Sequence, residues 1–125
     1  MKSSYEAVNA VYNVLQDAGL SYSVYKYNRP TKLSDTEYAI INSLDIDAEV
    51  LQKVIVNVNY YCKDIAPGIP DSSKLETNSD LLIGLLTEHW DGTAKIDIDT
   101  NKIGWDYALN QHYANIRLSV KLLNN

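Results

Sequence analysis

Hydrophobic positions along the chain switch between two periods. Tyr5, Val8, Val11, Tyr12, Leu15 and Ala18 recur three and four residues apart, the spacing of one helical face. Ser3 and Glu6 supply a capping box ahead of this stripe. Gly19 stops it, with Leu20 placed to fold back on the last turn. Leu75, Leu82, Leu86 and Trp90 form a second stripe, which predicts a helix opened by Ser73 and Glu76 and closed at Asp91-Gly92. Gly84 inside that helix costs about 1 kcal/mol relative to alanine, and we take it to mark close helix–sheet packing.

Elsewhere the period is two. Val54, Val56, Val58, Tyr60 and Cys62 alternate with Ile55, Asn57, Asn59, Tyr61 and Lys63. One side of this strand is built for a core, whereas the other mixes amides with aromatics, a pattern suited to a wet protein contact. Tyr22 to Tyr27 predicts an earlier strand, ended by Asn28-Arg29-Pro30. Glu37 to Asp45 predicts the next, leading into the acidic turn Asp45-Ile46-Asp47-Ala48-Glu49. The short links suggest an antiparallel meander. Lys95–Asp99 and Lys102–Trp105 flank Thr100-Asn101 as a hairpin. In the last strand, His112 to Leu122, Ala114, Ile116, Leu118, Val120 and Leu122 face inward, and Tyr113, Asn115, Arg117, Ser119 and Lys121 face outward. The expected fold is α+β: one domain over residues 1–125, in the order α-β-β-β-α-β-β-β. Its sheet is mainly antiparallel, of five to six strands, with two helices packed on one face.

A chain of 125 residues buries roughly two-thirds of its unfolded surface and needs no disulfide or metal to fold. Its one cysteine, Cys62, falls on the inward side of its strand and suits a reducing compartment. A net charge of −5 argues against a surface that grips phosphate backbones. The longest apolar run, Leu81 to Leu86 with Gly84 inside it, is too short to span a membrane. Met1 to Glu6 lead into a helix without a signal-peptide core, so a soluble protein made in a cytoplasm is expected. Ten Tyr stand beside two Trp and no Phe. Two readings fit this bias: surfaces wet alone and buried in a complex, or a small core completed with Tyr in place of Phe.

The candidate chemistry is thin. Asp97, Asp99 and Asn101 copy the first ligands of a calcium loop, but Lys102 stands where glycine is required and Ala108 where the bidentate glutamate belongs. Cys62, His89 and His112 lack any surrounding nucleophile motif. His89 in the last turn of a helix would simply complement its dipole. The carboxylate pairs Asp45/Asp47 and Asp97/Asp99 lie two apart and face water, with no apolar pocket to raise a pKa. Neither a phosphate loop nor a cofactor motif is present. A non-enzymatic role without cofactor or metal is therefore expected.

Several phrases together resemble the tail-terminator, or tail-completion, proteins of long-tailed bacteriophages and related neck proteins. They are the opening helix with Tyr22-Ser23-Val24-Tyr25 after it, Arg29-Pro30 ahead of Tyr38-Ala39-Ile40-Ile41, and Val56-Asn57-Val58-Asn59-Tyr60. Gly68-Ile69-Pro70-Asp71 before the second helix and the closing run His112 to Val120 complete the set. The resemblance implies a structural virion subunit without catalytic residues that closes into a ring, usually of six copies. Such a ring caps the tail tube and joins it to the head connector. It would be assembled in the host cytoplasm, meet the tail-tube and connector or stopper proteins, and let DNA pass without specific binding. A closed ring needs heterologous contacts. The polar–aromatic outer positions Tyr25, Tyr27, Arg29, Asn57, Asn59, Tyr61, Tyr113, Asn115 and Arg117 are candidates for them. Asp45, Asp47 and Glu49, or Asp97 and Asp99, are candidates for an acidic lumen or rim. Two further possibilities stay open: another neck or head–tail connector ring, and a small cytoplasmic adaptor or inhibitor that binds a host protein.

Overall fold

The second helix ends earlier than its hydrophobic stripe predicts, and that early stop sets the edge of the sheet. In the computed structural model, which describes residues 4–28, 36–44, 53–90, 92, 94–106 and 111–122, helix α1 spans Ser4–Asp17 and helix α2 spans Ser72–Leu86. Thr87 turns to extended backbone, with its N–H held by Ile83 O, and Glu88 takes a left-handed φ of 51°. Both changes break the helix before His89 and Trp90. These two residues instead form a short strand, and Trp90 is exposed. The N-cap also differs from expectation: Asp71 accepts from Lys74 N at 3.1 Å, so the capping residue lies two positions before Ser73. Ser3 of the other expected capping box lies outside the described residues.

The strands are β1 (Ser23–Lys26), β2 (Tyr38–Ser43), β3 (Lys53–Tyr61), β4 (His89–Trp90), β5 (Ala94–Asp106) and β6 (Gln111–Leu122). They form one curled sheet in the order β1-β2-β3-β6-β5-β4. The element order is α-β-β-β-α-β-β-β, as the sequence led us to expect, but two of its parts arise differently. First, β1 runs parallel to β2, with Ser23 beside Tyr38 and Lys26 beside Ile41. The link between them lacks a two-residue turn signal and is long enough to carry the chain back before it re-enters the sheet. Second, Thr100-Asn101 is not a hairpin turn. β5 is one long strand with an irregularity between Ile98 and Thr100, and all its other pairings follow β6 without a break. A bulge absorbs the change of phase that a turn was expected to explain.

Both helices cover the same face of the sheet. Ala7, Val8, Val11 and Leu15 from α1 and Leu75, Leu82 and Leu86 from α2 meet Val54, Val56, Val58, Ile96, Ile116, Leu118 and Val120 in a fully buried cluster. Each of the Val, Leu and Ile side chains contributes about 1.5–3 kcal/mol when buried. The buried stripe of α1 excludes Tyr5, which is 66% exposed and packs edge-on against Tyr27 at 5.8 Å. Gly84 is exposed, and a methyl group there would meet nothing within 4 Å. It therefore does not mark a close helix–sheet contact. No described helix is long and apolar enough to cross a membrane.

Candidate functional site: the helix-free face of the sheet

Strand alternation sends every second residue to the face that no helix covers, and cross-strand register decides which of them meet. Tyr38 on β2 lies opposite Tyr61 on β3, Tyr61 opposite Tyr113 on β6, and Tyr113 opposite Gly104 on β5. The three rings form a row. Tyr38 stacks on Tyr61 at 5.0 Å and 18°, Tyr61 meets Tyr113 at 5.2 Å, and Tyr25 joins Tyr38 at 6.4 Å. The Tyr113 ring occupies the space over Gly104: a Cβ built there would come within 2.7 Å of its Cζ. Glycine at this position admits the ring. The polar tips are also tied down, Tyr38 Oη donating to Gln111 Oε1 at 3.2 Å and Tyr61 Oη to Asp106 Oδ2 at 3.1 Å.

Beside the rings runs an amide ladder. Asn57 donates to Asn42 Oδ1 at 3.3 Å. Asn115 donates to Asn59 Oδ1 at 2.7 Å and to Asn57 Oδ1 at 3.2 Å, and Arg117 Nε approaches the same Asn57 oxygen at 3.4 Å. Asn115 Oδ1 is buried without a partner among the described residues. The ladder threads β2, β3 and β6, fixing their register with directional bonds where the opposite face relies on volume.

The expected contact residues therefore divide into two groups. Asn57, Tyr61 and Asn115 are buried within the chain itself, at 6, 5 and 6% exposure, and act first as structure. Tyr25, Asn59, Tyr113 and Arg117 are half-buried, and Tyr27 is exposed. Tyr27 adopts φ 71°, a left-handed conformation uncommon for a non-glycine residue, and its N–H is held by Ile41 O at 2.7 Å. Together with Asn28, Ile40, Asn42, Asn59, Tyr61 and Asp106 it borders an open hollow of about 260 Å³. Arg29, Asp45, Asp47 and Glu49 lie outside the described residues. Asp99 is exposed at the β5 irregularity, and Asp97 points to the helix-free face with Lys95 Nζ 3.9 Å away. The tyrosine bias has a mixed meaning, since Tyr22, Tyr38, Tyr60 and Tyr61 all belong to buried clusters.

A row of lysines also crosses this face. Lys53 on β3 lies opposite Lys121 on β6, and Lys121 lies opposite Lys95 on β5, which pairs in turn with Trp90. Their strand neighbours Val54, Val120, Leu122, Ala94 and Ile96 point into the core, so the lysine row emerges on the helix-free side. These residues are remote from one another in sequence, and only the strand register brings them together.

The nucleophile candidates separate. Burial pushes the Cys62 thiol up to about 11, with the Asp71 charge adding to the effect, which leaves it a protonated core side chain. His112 Nδ1 sits 3.0 Å from Asp64 Oδ1, with Trp105 edge-on at 4.6 Å. Sequence inspection missed this pair, because Asp64 and His112 meet only through the β3–β6 pairing. Tyr60 Oη donates to the Glu37 carboxylate. Burial first, then that hydrogen bond, holds the Tyr60 phenol far above its ordinary range. Among the described residues no three His, Cys, Asp or Glu side chains converge as metal ligands would. No protein-family model matches the chain, and no curated protein is detectably similar to it in sequence.

Proposed function

We propose that this chain is a structural subunit that closes into a ring at the end of a phage tail tube and joins it to the head connector. It works by docking to copies of itself and to adjoining virion components. The observation that carries this reading is the sheet's uncovered side and open edge. Neither described helix lies over one of its faces. β4 covers β5 only at Lys95 and Ile96, so Asp97 to Asp106 have no second strand neighbour among the described residues. Exposed Ile103 lies on that edge and exposed Trp90 beside it. Unpaired edges and large exposed apolar side chains suit a protein that is completed by assembly. The α+β fold is also compatible with the α+β subunit that the tail-terminator resemblance implies.

The test is assembly with a tail tube. Purified chain mixed with tail-tube protein is expected to give tubes with a ring at one end in negative-stain images, and a corresponding high-mass species by light scattering. A chain that neither multimerises when concentrated nor attaches to tubes would refute the proposal.

A further inference from the structure

Among the described residues of the two helices and the central strands, charge is sorted by layer, and the net value of −5 conceals it. On the helix side, α1 carries Glu6 and Asp17 with no basic residue. α2, with its cap and exit, carries Asp71, Glu76, Asp80 and Glu88 against Lys74 alone. Lys74 is already engaged with Glu37 at 3.6 Å. Two further bases border this side: Lys26, which donates to Asn9 Oδ1 and lies over the Tyr12 ring, and Lys102, which lines one hollow with Glu76 and Asp80. The opposite side of the sheet carries Lys53, Lys121, Lys95 and Arg117, with Asp97 and Asp106 as its acids.

The lysine row is costly in an isolated chain. Like charges directly opposite each other on neighbouring strands are destabilising, and here two such pairs stand side by side. Among the described residues Asp97 pairs with Lys95. Neither Lys53 nor Lys121 has a carboxylate within ion-pair distance among the described residues, and Arg117 has only the amide oxygen of Asn57. Among the described residues only the Lys95–Asp97 pair offsets this repulsion, whereas an acidic surface laid on the face would relieve it along the whole row.

We infer that the occupant is a second copy of this chain, its acidic helix layer seated on the lysine row of the first. The inference rests on the ring proposal and specifies its contact. Two patches of opposite sign on opposite sides of one subunit define a head-to-tail contact, which generates a ring when its rotation closes. Charge complementarity of this kind selects the partner and sets the register. The buried condition of Tyr38 and Tyr61 speaks against a nucleic acid as occupant, since these rings stack on each other and offer no face to a base.

A charge-exchange experiment tests the contact. A sheet variant, Lys95→Glu with Lys121→Glu, and a helix variant, Glu76→Lys with Asp80→Lys, each change only exposed side chains. Their folding is checked by circular dichroism. By light scattering at about 0.1 M salt, where charges are screened beyond ~10 Å, the unmodified chain is expected to associate. Each variant alone should associate at least about tenfold more weakly, and an equimolar mixture should recover, because each then meets a face of opposite sign. If the unmodified chain assembles and the variants assemble equally well, the ring proposal stands and this contact is wrong. If the chain stays monomeric even with tail-tube protein, both fall. If instead the monomer binds a DNA duplex through Lys95 and Lys121, the face belongs to a polyanion and the second-copy assignment is overturned.

Discussion

The two faces of the sheet are made from the same strands, yet they are held by different physics. On the helix side, Val56, Val58, Ile116 and Leu118 are fully buried against Leu82 and Val11, and stability scales with apolar area and close packing. On the other side, residues one position away are nearly as buried, but they are amides and phenols held by hydrogen bonds and ring stacking. Apolar packing tolerates repacking of similar volumes. A polar ladder tolerates little, since a removed partner leaves a buried group unsatisfied. The first face holds the subunit together, and the second fixes strand register and presents a rigid outer surface.

Substitutions on each side make this contrast measurable. Ile116→Ala on the helix side should have the largest effect, a loss of about 2–5 kcal/mol in denaturant unfolding. Asn57→Ala should cost about 1–3 kcal/mol, because donors on Asn115 and Arg117 and the acceptor on Asn42 lose their partner together. If Asn57→Ala proved neutral, the ladder would be ornament and the contrast would fail.

A smaller loss should accompany a rise in pH. The phenols of Tyr60 on the helix side and Tyr61 on the other are both held above their ordinary value of 10.0, chiefly by burial. For each, the folded state keeps a proton that the unfolded state releases. The stabilisation is therefore complete below pH 10 and is lost progressively as pH rises above it. Thermal melting between pH 8 and 11 should show this onset, and Tyr60→Phe and Tyr61→Phe should each reduce its steepness. The smallest effect has the opposite sign. Gly84→Ala, exposed on α2 with open space around it, should stabilise by about 0.5–1 kcal/mol.

How much of this was legible in the sequence depends on whether the signal was local. The inward residues of β3 and β6 could be read directly, because an aliphatic or aromatic residue recurs at every second position. The β5 irregularity could not. Ile96 and Ile98 share one parity and Ile103 and Trp105 the other, and such a phase change fits a turn or a bulge equally well. Trp90 misled for a related reason: it continues the helical spacing from Leu86, while the break lies in the backbone of Thr87 and Glu88. The amide positions were visible as outward-facing, but their burial was not, since Asn57 meets Asn115 only once β3 and β6 are in register. The lysine row was hidden most completely, because net charge averages over the two layers that the fold separates.

The central claim, that the helix-free face receives the helix layer of another copy, is tested most directly by zero-length carbodiimide cross-linking of an equal mixture of ¹⁴N- and ¹⁵N-labelled chain. Peptides containing Lys95 or Lys121 lie on the opposite side of the sheet from Glu76 and Asp80, so a covalent link between them must join two molecules. Such links are expected in mixed-isotope form and should be lost when salt is raised to about 1 M and the screening length falls to ~3 Å. Assembled chain that yields links between subunits but none from Lys53, Lys95 or Lys121 to the helix carboxylates would contradict it.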